Sequence, residues 1–164
     1  MSAPLSLAPA SVPFKRPLVS LWTAVEVLDR SSAELLALIE EGKLRFAWNI
    51  AGRRTRRRLI RILSQSLVEF QSGQPAPNLS APDDFQRAVK LIFPAVSHAP
   101  GGAITVRATT IVKRLSVGSD HVLHLVDQGE LRVCKGAVRR PGPNGSPEIE
   151  FGSVVEFLTK RRLL

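Results

Sequence analysis

Between positions 45 and 61 the chain places seven arginines (Arg45, Arg53, Arg54, Arg56, Arg57, Arg58 and Arg61) and no acidic residue. Five of them fall within the six positions 53–58. A guanidinium fork grips two phosphate oxygens at once and fits a narrow groove, so an all-arginine run reads as a grip for a nucleic-acid backbone. Without a polyanion nearby such a run repels itself. Neutralising about five phosphates gives a log–log salt slope near about −4.5 on duplex DNA. Lys135, Arg139 and Arg140 form a weaker basic run, and Lys160-Arg161-Arg162 a third.

Other chemistries find little support. One cysteine, Cys134, makes neither an intrachain disulfide nor a thiolate cluster. His121 and His124 stand three apart and can supply two metal ligands, but nothing nearby completes a set. There is no Gly-rich phosphate loop, no Ser/His/Asp arrangement and no paired carboxylates. We therefore expect no enzyme and no cofactor. Tyr is absent and Trp occurs twice. Trp48 is expected in the core, and a stacking platform for single strands is not expected. The formal charge is +9, which favours polyanionic partners. No run approaches the roughly 18 apolar residues of a membrane span. Met1–Pro17 lacks the order of a signal peptide and reads as a flexible arm. The expected location is cytoplasmic and nucleoid-associated, with no membrane partner.

These residues need a scaffold. The segment 71–82, QSGQPAPNLSAP, has the composition of a linker. Asp83 to Phe93 is apolar-periodic, with an Asp to cap it and Pro94 to stop it, which predicts a short helix over 83–93. SHAPGG at 97–102 is a second break. The chain divides into an arm (1–17), a unit (18–72), a linker region with its helix (73–102) and a second unit (103–164). Units of this size have thin cores and need efficient packing or help from a neighbour.

The two units are copies. With Gly42 set on Gly129, 87 positions later, the alignment runs without gaps from Val25 to Phe70, and 14 of 46 positions are identical. Chance gives about three at ordinary composition. In the first copy Ser20 can cap a helix carrying Ala24, Val25 and Leu28. Ser31-x-x-Glu34 is a capping box for a second helix with a stripe of Leu35, Leu38 and Ile39. Gly42 sits where a helix ends in a left-handed residue. Leu44–Trp48 and Leu59–Ile62 flank a Gly-containing polar tip, which predicts a hairpin. Ser64 to Phe70 closes the unit as a helix. The second copy repeats the order, with Arg107 as a poor first cap, Ser119 as the second cap and Arg139–Gly145 as the hairpin tip.

The segments VEVLDRSSAELLALIEEGKLRF and TIVKRLSVGSDHVLHLVDQGELRV, with the closing pieces RRLIRILSQSLVEF and PEIEFGSVVEFL, resemble the excisionase/MerR-like winged helix-turn-helix family over about two-thirds of the chain. The resemblance implies a mainly α fold with small β-hairpin wings (α+β), as tandem winged helix-turn-helix domains. It implies a recognition helix in the major groove of duplex DNA and a wing on phosphates or the minor groove. The implied roles are an excisionase-like recombination directionality factor or a small transcription regulator. The long dimerisation helix and cysteine ligands of MerR regulators have no counterpart, so metal or drug sensing is not implied.

Family members usually carry basic residues after the leading Ser of the recognition helix and again a turn later. Here Ser32, Ala33 and Ala37 stand there in one copy, and Ser119, Asp120 and His124 in the other. Arg or Lys to guanine is the commonest specific contact in the major groove, and these first turns cannot make it. The hydrogen-bonding candidates are Ser31, Ser32, Ser119, His121 and His124. The phosphate-binding candidates are Arg45, Arg53, Arg54, Arg56, Arg57, Arg58, Arg132, Lys135, Arg139 and Arg140.

The expectation is a duplex DNA binder, either a monomer whose linker lets two readers reach two half-sites or a cooperative assembly on DNA. An alternative is an adaptor or assembly subunit of a larger nucleoprotein complex. Its helix faces would bind a recombinase or other protein and its Arg-rich wing nucleic acid. A third reading is RNA binding through the arginine run.

Overall fold

A computed structural model describes residues 14–53, 55–73, 82–98, 102, 104–134 and 146–163. These residues form an α+β fold of helices on small antiparallel sheets. The first unit runs β1 (Leu18–Ser20), α1 (Leu21–Leu28), α2 (Ser32–Glu40), β2 (Ala47–Asn49), β3 (Ile60–Leu63) and α3 (Ser64–Gln71). Next come α4 (Pro82–Ile92) and β4 (Ser97–His98). The second unit runs β5 (Ile104–Arg107), α5 (Ala108–Leu115), α6 (Ser119–Asp127), β6 (Glu148–Glu150), α7 (Phe151–Arg161) and β7 (Arg162–Leu163). No described helix is long and apolar enough to cross a membrane.

Local chemistry explains the helix bounds. The Ser20 side chain accepts from the Thr23 N–H at 3.0 Å and starts α1. At α2 the capping box is complete: Ser31 Oγ accepts from the Glu34 N–H, and the Glu34 carboxylate accepts from the Ser31 N–H at 2.8 Å. Asp29 ends α1 in the left-handed region at φ 49°, and Ser116 does the same for α5 at φ 54°. Gly42 and Gly129 follow α2 and α6 with φ +70°, a conformation that glycine adopts without strain. One sequence expectation fails: Ser119 is the first residue of α6, and the N-cap is Gly118, which has no side chain to bond.

The 87-residue offset is a structural repeat. α1 and α5 have matching bounds at that offset, and so do α2 and α6. The register pair Val19↔Ile62 recurs as Val106↔Ile149. The Arg45 N–H donates to Ser66 Oγ at 2.7 Å, and the Arg132 N–H to Ser153 Oγ at 3.0 Å.

The first sheet has the strand order β1-β3-β2-β7, all antiparallel pairs. Successive residues of a strand face opposite sides. Val19, Ala47, Ile60 and Ile62 turn to a core with Ala24, Leu35, Leu38, Ile39 and Leu67 of the helices α1–α3. Leu18, Trp48 and Leu63 turn the other way, into a second core. That core joins them to Ala88, Val89, Ile92 and Phe93 of the α4 region and to Ile111, Leu115, Val122, Leu125 and Phe157 of the second unit. Both faces of the first sheet are therefore covered. The last strand, β7, adds to its edge by pairing with β2. Trp48 is fully buried, stacks on Phe46 at 6.2 Å, and leaves its Nε1 without a hydrogen-bond partner among the described residues.

The helix α4 falls where the linker helix was expected, yet it is not a spacer. It contributes to the core that the two units share, because neither thin unit buries its apolar surface alone.

Candidate nucleic-acid interface

The turn and first residues of α6 dock onto the first unit. Arg61 sits on β3 opposite Trp48, on the sheet face that looks toward the second unit. Its guanidinium donates to Leu115 O at 3.2 Å and to Ser116 O at 2.7 Å, the carbonyls that end α5. A cation at a helix C-terminus meets both the unpaired carbonyls and the negative end of the dipole. Ser116 Oγ donates back to Leu18 O at 2.8 Å. Burial is the main influence lowering the Arg61 pKa, and the nearby Arg16 charge adds to it.

The first hairpin meets α6 a few residues further on. His121 Nε2 bonds Ile50 O at 2.8 Å; a carbonyl only accepts, so this nitrogen carries the proton. The Arg53 N–H donates to Gln128 Oε1 at 3.1 Å, and Gln128 also reaches His124 at 2.7 Å. Contact is closest at Gly52, where a Cβ would fall 2.6 Å from Gln128 Oε1. Beneath this contact Glu130, whose side chain is 3% exposed, pairs with Arg53 at 3.3 Å and with Arg161.

These contacts sort the residues that the sequence nominated. Arg45 is buried, 6% exposed, and paired with Glu69 at 3.5 Å, so its guanidinium does not face solvent phosphate. Arg132 is clamped between Glu150 and Glu156, each at 3.0 Å, and those hydrogen bonds hold its pKa above the ordinary arginine value. His121 is half-buried and bonded to the first hairpin, whereas His124 is exposed and bonds only Gln128 of its own helix end. Ser31 is committed to its cap. Ser32 and Ser119 are exposed at the starts of α2 and α6. Arg53 is half-engaged: its side chain is 65% exposed while it pairs with Glu130. Arg56, Arg57 and Arg58 are exposed, and no carboxylate lies within ion-pair distance of them among the described residues. Arg54, Lys135, Arg139 and Arg140, like the second hairpin tip, lie outside the described residues.

The outward face of α2 shows Ser32, Ala33, Glu34, Ala37 and Glu40, without a cation. On α1 next to it Trp22 is 70% exposed, its Nε1 donating to Glu26 at 3.0 Å. Glu130 was missed by sequence reasoning, although a signal exists. At the 87-residue offset it replaces Lys43, a charge reversal inside an otherwise matched stretch. The chain matches no family model, no curated protein and no solved structure.

Proposed function

We propose that the chain is a duplex DNA-binding protein of two tandem winged helix-turn-helix units fused into one body. It would act as an excisionase-like recombination directionality factor or a small transcription regulator. The observation that carries this reading is the division of the arginines. Arg45, Arg61 and Arg132 are tied to protein groups, whereas Arg56, Arg57 and Arg58 are exposed on the first hairpin with no carboxylate at ion-pair distance among the described residues. Three adjacent guanidiniums suit three backbone phosphates. The repeated order of two helices, a hairpin and a closing helix adds support. In this reading the first unit grips DNA. The second supplies structure, since the first hairpin bonds His121 of α6 and Gln128 at its end.

The test is duplex affinity measured by fluorescence anisotropy across a salt series. Replacing Arg56, Arg57 and Arg58 together by Ala should weaken binding and flatten the log–log slope by about 2.7, near 0.9 for each phosphate lost. An unchanged slope sinks the hairpin assignment.

The cation-free face of α2 and the exposed Trp22 favour a second reading, an adaptor within a larger nucleoprotein complex. Exposed Trp is a frequent anchor of protein interfaces. Random-site selection separates the two: enrichment of a defined duplex sequence favours the regulator, and recovery of no sequence favours the adaptor.

A further inference from the structure

Arg58 precedes β3 and Ser64 follows it, so the four residues of the strand, about 10 Å of extended chain, lie between them. At that far end Lys15, Arg16 and Arg114 line a concavity of about 250 Å³ together with Ser64, Gln65 and Leu91. Among the described residues no carboxylate lines it. None of the three cations has an ion-pair partner among the described residues, and the Ser64 hydroxyl has no hydrogen bond there. The concavity is built from the end of the arm, α3 of the first unit, α4, and α5 of the second unit. Lys15 and Arg16 precede β1, Ser64 opens α3, and Arg114 stands in the last turn of α5. The dipole of α5 accounts for a cation at Arg114. It does not account for two more brought against it from the segment just before β1. Leu63, at the N-cap of α3, makes no side-chain cap hydrogen bond, and the Ser64 N–H donates to Pro17 O at 2.9 Å.

We propose that this concavity is a phosphate-binding site, separate from the hairpin arginines. Its ligand is a phosphate group, carried either by a duplex backbone or by a free small phosphate compound. Two arginines and a lysine with a hydroxyl between them supply the fork geometry and charge that a phosphate takes. At about 30 Å³ per water, the volume admits a phosphate with part of its hydration shell. The site does not depend on the hairpin's role, and variants at the two places report separately.

The experiment titrates the full chain with pyrophosphate by calorimetry, and in parallel measures the salt slope on a short duplex. The parent should bind pyrophosphate saturably. Arg114→Ala should weaken that binding at least about tenfold, as charge-assisted hydrogen bonds to phosphate are lost. Lys15→Ala, at an exposed position, gives a second reading should Arg114→Ala fail to fold. The variant lacking Arg56, Arg57 and Arg58 should bind pyrophosphate like the parent. A duplex slope flattened by about 0.9 in Arg114→Ala or Lys15→Ala identifies the backbone as the source. An unchanged slope with weakened pyrophosphate binding identifies a free phosphate compound. If neither pyrophosphate affinity nor the duplex slope responds to either variant, the site does not exist.

Discussion

Arg45 and Arg58 look alike in sequence, each in an acid-free basic stretch, yet one is buried against Glu69 and the other faces water. Burial converts a nucleic-acid candidate into a structural ion pair, because a guanidinium out of water must keep a partner. The exposed carboxylates carry a different consequence. Hydrogen bonds from Ser31, backbone first and hydroxyl second, hold Glu34 below the ordinary value of 4.5. Lys160, and after it Arg132, holds Glu156 down in the same way. A depressed carboxyl pKa stabilises the fold above the ordinary value and ceases to do so as pH falls through and below it. The thermal midpoint should therefore drop on acidification below about pH 4.5. In the double variant Glu34→Gln, Glu156→Gln the drop should be shallower, as read by circular dichroism. An identical pH profile in parent and variant would count against these two groups.

Among the elements, the α5–α6 turn is the hinge of the whole arrangement. Elsewhere a helix C-terminus of this kind would be satisfied by water; here Arg61 of β3 satisfies it. Arg61→Ala should cost about 2 kcal/mol, the scale of charged hydrogen bonds to partly buried carbonyls. Arg61→Lys should recover less than half, because an ammonium cannot reproduce the fork that reaches Leu115 O and Ser116 O together. Denaturant midpoints at constant slope would measure both, and full recovery by Lys would show that charge alone matters. The same docking explains why α6 keeps the Ser-led position of a reader but not its freedom. His121 and Gln128 already meet the first hairpin, and His124 bonds Gln128.

For the molecule as a whole, the shared core sets the behaviour. Leu18, Trp48, Ile50 and Leu63 of the first unit are buried against α4 and the second unit, and β7 completes the first sheet. The two units should unfold in one transition. Intrinsic Trp fluorescence, reporting on buried Trp48, and far-UV circular dichroism should give superimposable denaturation curves. Two separated transitions would mean that the units are independent after all.

Much of this was legible in the residues themselves. Ser20, the Ser31/Glu34 box, Gly42 and the apolar stripe of Leu35, Leu38 and Ile39 determine where the helices begin, end and face. Each of those signals acts between residues a few positions apart, which is the range over which spacing in sequence is spacing in space. The gapless 87-residue offset likewise fixed the repeat, down to the Arg45–Ser66 and Arg132–Ser153 hydrogen bonds. The fate of the cations was another matter. Whether an arginine meets Glu69, the end of α5 or solvent depends on how the elements pack around it. Residues 24 to 98 positions apart settle that, through contacts such as Arg45 to Glu69, Arg61 to Leu115 and Ser116 to Leu18. Local spacing carries no record of such partners, so tertiary structure alone decided which arginines remain free to hold a phosphate.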